Sequence, residues 1–74
     1  MLLTVRDRMI TINDELTSRY EKIGFGPVDE LFALAEISTT LRCNIDDILD
    51  SLTDEEMVKT IEDAIMDYLK VSGV

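Results

Sequence analysis

Residues 53–71 read TDEEMVKTIEDAIMDYLKV, and this stretch decides the fold. Thr53, with Glu56 three residues later, forms a capping-box pattern, in which a hydroxyl and a carboxylate satisfy backbone N–H groups at a helix start. The two acidic residues after Thr53 lie where the helix dipole favours anions. Apolar side chains then recur at intervals of three and four along one helix face: Met57, Ile61, Ala64, Ile65 and Tyr68. We therefore predict a helix over residues 53–71.

Two further helical segments precede this one. Gly26-Pro27 is a helix-start signal, because proline fits the first helical position, where its missing N–H would be unbonded anyway. An apolar stripe then continues to about Arg42 through Val28, Leu31, Leu34, Ala35, Ile37 and Leu41. Ile45, Ile48 and Leu49 keep helical spacing in a shorter run. The patterns predict a helix over residues 27–42 and a short one over 45–49.

The N-terminal quarter has a mixed pattern. Val5, Met9 and Ile10 suit a helix, whereas the β-branched run at residues 10–12 also suits an extended segment. We favour a short helix over residues 2–10. Residues 13–26 contain Asn13-Asp14 and two of the three glycines, so we expect at least part of this segment to be loop.

These segments predict an all-α fold, a small four-helix bundle that forms a single domain over residues 1–74. A chain of 74 residues leaves no room for a second core, because domains usually need roughly 50 or more residues each. The predicted core is formed by Leu31, Ala35, Leu41, Ile48, Met57, Ile61, Ile65 and Tyr68.

The composition excludes several kinds of chemistry. The chain has no histidine and a single cysteine, so we expect no Cys/His metal site, no intramolecular disulfide and no histidine base. No neighbouring histidine is present to activate the Cys43 thiol, and we interpret this residue as a buried or half-buried apolar side chain. No acid/base pair, activated nucleophile or cofactor loop emerges, so we do not expect an enzyme.

The charge of the chain limits its partners. Sixteen acidic and seven basic residues give a formal net charge of −9, which repels phosphate backbones and anionic membranes. We therefore expect no direct binding to nucleic acid or membrane. Residues 1–8 carry three charges where a signal peptide needs an apolar stretch, and no apolar run approaches the roughly 20 residues of a membrane span. A cytoplasmic protein is the expectation.

Acidic residues are concentrated in residues 46–67, where nine carboxylates accompany a single base, Lys59. They do not follow the ligand spacing of a calcium loop, so we interpret them as a solvated acidic surface and predict no metal site. Such a surface speeds encounter with a basic partner. We predict that a partner protein with a basic surface contacts Asp29, Glu30, Asp47, Asp54, Glu55 and Glu62.

Residues 18–29 read SRYEKIGFGPVD and resemble the loop and the start of helix two in acyl carrier proteins, where the pattern is Ser-x-Phe-x-x-Leu-Gly-Phe/Leu/Ala-Asp-Ser-Leu-Asp. The matching positions are Tyr20, Ile23, Gly24, Phe25, Val28 and Asp29. The resemblance extends over residues 13–69, with residues 31–41 as the second helix and the acidic stretch 52–69 as the third and fourth. It implies a four-helix fold that docks onto fatty-acid, polyketide or peptide synthase components.

The attachment position departs from the family pattern. The serine that would carry the phosphopantetheine arm is Pro27 here, and the aspartate before it is Gly26. Proline has no hydroxyl to attack the phosphorus of the cofactor, so no phosphopantetheine is expected at this position. Asp50-Ser51-Leu52 offers a rival attachment site, but too few residues follow Ser51 for the remaining helices of the family. We interpret Ser51 and Thr53 as caps of the last helix.

Three functions remain open. The first is a non-catalytic, carrier-like binding module without a prosthetic group, which docks through its acidic helices onto a basic partner enzyme. The second is a functional acyl or peptidyl carrier that bears phosphopantetheine on Ser51. The third is a small acidic inhibitor that mimics nucleic acid. We expect Tyr20 and Phe25 to pack the loop onto the core, with the lining of a small apolar cavity as the alternative.

Overall fold

The computed structural model of the protein describes residues 1–73. These residues form a two-stranded sheet and four helices, so the protein is mostly helical. The elements in chain order are β1 (Leu2–Val5), β2 (Arg8–Thr11), α1 (Asp14–Ile23), α2 (Glu30–Leu41), α3 (Ile45–Ile48) and α4 (Asp54–Val71), with a 3₁₀ turn at Leu49–Ser51 after α3. The prediction of a helical fold is confirmed in this coarse form, and the sheet departs from the all-α class.

The helix predicted over residues 2–10 is wrong, because these residues form a β-hairpin. β1 and β2 pair antiparallel with Leu3 opposite Ile10 and Val5 opposite Arg8. Side chains alternate across the strands: Leu3, Val5 and Ile10 are buried, while their neighbours Leu2 and Met9 are exposed. A period of two buries one sheet face, whereas a helix would scatter these apolar residues around its axis.

Part of residues 13–26 is loop, as expected, but most of this segment forms α1, a helix that the sequence patterns did not predict. Asn13 is the N-cap, and its side chain accepts the backbone N–H of Leu16 at 3.1 Å. Gly24 ends the helix with a φ of 94°, a left-handed conformation that glycine adopts without strain. The Asn-Asp pair that suggested a loop is therefore a helix start, since the same residues favour both.

α2 begins later than predicted, at Glu30 rather than Pro27. Asp29 is its N-cap and accepts the backbone N–H of Phe32 at 3.0 Å, so Pro27 and Val28 remain in the loop. The short helix predicted over residues 45–49 is confirmed as α3 and the turn that follows it.

α4 forms as predicted and starts with the complete capping box. The Glu56 backbone N–H donates to the Thr53 hydroxyl (3.1 Å), and the Thr53 backbone N–H donates to the Glu56 carboxylate (2.9 Å). The helix packs against α1, α2 and β2, which places it at the centre of the domain.

The core confirms the predicted face of α4 and corrects that of α2. Met57, Ile61 and Ile65 are fully buried, and Ile48 is half-buried. Leu31, by contrast, is 76% exposed. Three other predicted core residues are also exposed: Ala35, Leu41 and Tyr68. The residues that α2 buries are Ala33 and Ile37, because the helix is turned toward both α4 and β1.

Candidate docking surface

Four of the six predicted partner contacts accept hydrogen bonds within the domain. Two of them lie at the start of α2. Asp29 caps that helix, and the Glu30 carboxylate accepts the backbone N–H of Arg6 in the hairpin turn. The Arg6 backbone has a φ of 59°, so Glu30 stabilises a turn in which a non-glycine residue adopts the left-handed conformation.

The other two contacts lie on α4 and bind the hairpin. The Arg8 guanidinium donates to Asp54 Oδ1 (2.6 Å and 3.2 Å) and to the Leu49 carbonyl (2.9 Å). Glu62 accepts the backbone N–H of Asn13 at 3.0 Å. These carboxylates therefore stabilise contacts within the domain.

Asp47 and Glu55 remain as exposed carboxylates among the predicted contacts. Within residues 1–73 neither accepts a side-chain hydrogen bond nor forms an ion pair. Next to Asp47, Asp46 pairs with the Arg6 guanidinium at 2.5 Å. Contact between these six residues and a partner stays a prediction.

The two candidate attachment positions differ in their surroundings. Pro27 is exposed in the loop between α1 and α2. Ser51 is also exposed, and its hydroxyl donates to the Ile48 carbonyl at 2.8 Å. That bond closes the 3₁₀ turn, so the prediction that Ser51 caps α4 is corrected: Thr53 alone supplies the side-chain cap.

The interpretation of Cys43 as a buried or half-buried apolar side chain is wrong. The residue is exposed after the C-terminal end of α2, where Arg42 turns the chain with a φ of 55°. The Cys43 thiol donates to the Leu41 carbonyl at 3.2 Å. The thiol lies outside the core because the turn directs the chain from α2 toward α3.

A groove of about 440 Å³, which the sequence patterns did not predict, lies between α2 and α4. We call it the α2–α4 groove. Ala64, Tyr68 and Val71 supply its apolar surface, and its carboxylates are Glu36, Asp63 and Asp67. Lys59 is the basic residue in its lining, which Thr40 and Thr60 complete. The spacing of Asp63 and Asp67 by four residues indicates a shared helix face, but the position of Glu36 beside them depends on how α2 packs.

One end of the groove meets an aromatic cluster formed by Tyr20, Phe25, Phe32 and Tyr68. Tyr20 lies at its centre, with ring centroids 5.1 Å from Phe32 and 5.5 Å from Phe25 and Tyr68. These are distances at which aromatic pairs add to stability. Tyr20 packs onto the core as predicted, while Phe25 covers it and stays 48% exposed. The cluster holds the 24–29 loop against α1, α2 and α4.

Glu36 affects both tyrosines of the cluster. Hydrogen bonding to the Glu36 carboxylate is the main cause that raises the pKa of Tyr68, followed by burial of the hydroxyl. Burial raises the pKa of Tyr20, with a smaller effect of the Glu36 charge. Both phenols are therefore neutral at physiological pH, and Tyr68 presents a hydroxyl group to the groove.

No family model, curated protein or solved structure matches the chain. Within residues 1–73 no helix has the length and apolar character that crossing a membrane requires. The described side chains also include no group of three or more metal-ligating residues placed to hold an ion.

Proposed function

We propose that this protein is a non-catalytic binding module, which docks onto a basic segment of a partner protein through the α2–α4 groove. The observation that carries the proposal is the pairing of an apolar groove surface with two carboxylates, Asp63 and Asp67, that have no partner within the described residues. Asp63 and Asp67 form no ion pair or side-chain hydrogen bond within residues 1–73, unlike Asp54.

The groove lining defines the chemistry of the occupant. Ala64 and the Tyr68 ring would contact an apolar surface, while Glu36 and Asp67 would attract cations. Lysine and arginine side chains combine an aliphatic stem with a charged end, and a helix can present several of them on one face. An amphipathic basic helix therefore fits the groove better than a uniformly charged segment.

Electrostatics would act mainly on the rate of association. The net charge of −9 creates a long-range field that attracts a basic partner, and such fields raise association rates more than they raise affinity. Exposed charges are screened by salt, with a Debye length of about 8 Å at physiological ionic strength. Binding should therefore weaken as salt is added.

The resemblance to acyl carrier proteins suggests the class of partner. The resemblance assigns residues 52–69 to a third and a fourth helix, whereas these residues lie mostly in the single helix α4, so that part of the assignment is wrong. The support that remains is local, since the loop that contains Pro27 leads from α1 into α2. We propose a component of a fatty-acid, polyketide or peptide synthase as the partner. The module would bind it as a carrier-like protein without a phosphopantetheine arm.

A defined peptide tests the groove. The probe is a synthetic amphipathic helix of lysine and leucine, titrated into ¹⁵N-labelled protein at two salt concentrations. We expect shifts at Ala64, Tyr68 and Val71 and weaker binding at high salt. The double variant Glu36→Gln/Asp67→Asn should reduce affinity about tenfold, which corresponds to the loss of roughly 1.4 kcal/mol.

The matched control removes the same charge elsewhere. Asp47 and Asp50 are exposed on α3 and the 3₁₀ turn, away from the groove lining. The double variant Asp47→Asn/Asp50→Asn should bind nearly as well as the wild type. Equal weakening by both double variants would mean that net charge alone governs binding, and the groove would then lose its assigned role.

A further inference from the structure

The hairpin leaves a row of backbone groups free along the outer edge of β2. Ile12 donates its N–H to the Met1 carbonyl (2.8 Å), and the Met1 nitrogen donates to the Ile12 carbonyl (2.7 Å). Hydrogen-bonded and non-hydrogen-bonded pairs alternate along an antiparallel ladder. In the observed register the bonds from β2 to β1 therefore come from Arg8, Ile10 and Ile12. The N–H and C=O groups of Met9 and Thr11 point away from β1.

This outward row faces α4. Asn13 is the next residue in the row after Thr11, and its N–H reaches the Glu62 carboxylate on α4 at 3.0 Å. Met9 and Thr11 themselves line a groove of about 530 Å³ between β2 and α4, which we call the β2–α4 groove. In the described part of the chain, no hydrogen bond to a helix or loop involves the backbone of these two residues.

We propose that an extended, cationic segment of a partner protein adds to β2 as an antiparallel third strand in this groove. The main-chain groups of Met9 and Thr11 would supply the pairing, as in other proteins that bind peptides at a sheet edge. β2 has four residues and spans about 14 Å at 3.4 Å per residue, so a segment of about five residues suffices.

The α4 wall of the groove explains the preference for cations. Glu55 and Asp63 line it without an intramolecular ion pair within residues 1–73, and the half-buried Val58 lies in the same wall. A side chain of the added strand opposite Ile10 would share its face of the sheet and lie over α4. A lysine there could place its stem on Val58 and its ammonium group near Glu55 or Asp63.

A second copy of the chain is a poorer occupant of the same edge. Two β2 strands paired edge to edge would bring two α4 helices and two domains of charge −9 together. A cationic segment instead gains from the same field. The site is distinct from the α2–α4 groove, and the two surfaces meet at Lys59 and Asp63.

The test uses the five-residue peptide acetyl-Thr-Lys-Val-Lys-Thr-amide, titrated into the ¹⁵N-labelled full chain. We expect the amides of Met9 and Thr11 to shift and to gain protection from hydrogen exchange. N-methylation of the central valine, whose N–H would pair with β2, should weaken binding at least tenfold. N-methylation of a lysine, whose N–H would point away from β2, should leave binding nearly unchanged.

Two protein variants provide a matched comparison. Thr11→Pro removes an outward N–H from β2, and Thr4→Pro removes the corresponding N–H from the opposite edge on β1. Neither N–H belongs to the β1–β2 ladder, so both variants should keep the hairpin, which their amide spectra will show. Thr11→Pro should weaken peptide binding at least tenfold, and Thr4→Pro should leave the affinity for the peptide nearly unchanged.

Several results would overturn the inference. They are equal binding of a peptide with glutamate in place of lysine, insensitivity to valine N-methylation, and shifts confined to the α2–α4 groove. The last result would leave the proposed function intact, because that groove is tested by Ala64 and Tyr68. Shifts of Met9 and Thr11 that depend on protein concentration without peptide would assign the edge to a second copy instead.

Discussion

The Glu62 carboxylate on α4 accepts the backbone N–H of Asn13 at 3.0 Å, and this bond joins three elements. Asn13 follows the hairpin and is the N-cap of α1, so Glu62 stabilises the junction between β2 and α1. The two residues are separated by 49 positions in the chain.

Replacing Glu62 with alanine should therefore destabilise the domain, although the side chain lies off the buried face of α4. We expect a loss of about 1 to 2 kcal/mol in the free energy of unfolding, because the bond joins a charged acceptor to a backbone donor. Urea denaturation measures the change. Asp63→Ala is the control, since Asp63 is exposed in the middle of α4 and makes no such bond, and it should stay within about 0.5 kcal/mol. Equal effects of the two substitutions would contradict the assigned role of Glu62.

Ile61→Ala and Leu31→Ala should differ sharply in stability. Ile61 is fully buried, and its truncation should cost about 2 to 5 kcal/mol. Leu31 projects into solvent, so its truncation should change the free energy of unfolding by less than about 0.5 kcal/mol. Thermal or urea unfolding checks both values. A large loss at Leu31 would mean that α2 is turned differently from the orientation described.

The capping box of α4 should contribute a pH-dependent part of the stability. Hydrogen bonds from the Thr53 backbone and hydroxyl lower the pKa of Glu56, so the folded state favours the ionised carboxylate. This contribution is complete above the ordinary glutamate pKa of about 4.3 and is lost as the pH falls through the lower folded-state pKa. The stability advantage of the wild type over Glu56→Gln should thus shrink from about pH 6 to about pH 3. A constant or growing difference would exclude this linkage.

The protein should stay unmodified when it is expressed with a promiscuous phosphopantetheinyl transferase. Pro27 offers no hydroxyl, and the Ser51 hydroxyl closes a 3₁₀ turn through the Ile48 carbonyl. Intact mass spectrometry measures whether the protein gains the mass of phosphopantetheine, and an authentic carrier protein serves as the positive control. An adduct that disappears in Ser51→Ala would instead establish the functional carrier hypothesis.

The sequence by itself determined α4, because the signals for that helix are local. Thr53 and Glu56 are three residues apart, and the buried side chains follow each other at intervals of four. α3 could be predicted for the same reason. The start of α2 was misassigned by three residues, because Pro27 and Asp29 both carry helix-start signals and the one that caps is Asp29.

Tertiary structure decided the hairpin, the orientation of α2 and the candidate site. Residues 2–11 contain both a helical and an alternating pattern, and the strand form prevailed because it covers α2 and α4 with one apolar face. The carboxylates look alike in the sequence, yet Glu30, Asp54 and Glu62 bind partners 24 to 49 positions away while Asp63 and Asp67 stay available. Only the packing of distant segments distinguishes a structural carboxylate from one that can meet a partner, because hydrogen bonds require the two groups to be within about 3 Å in space.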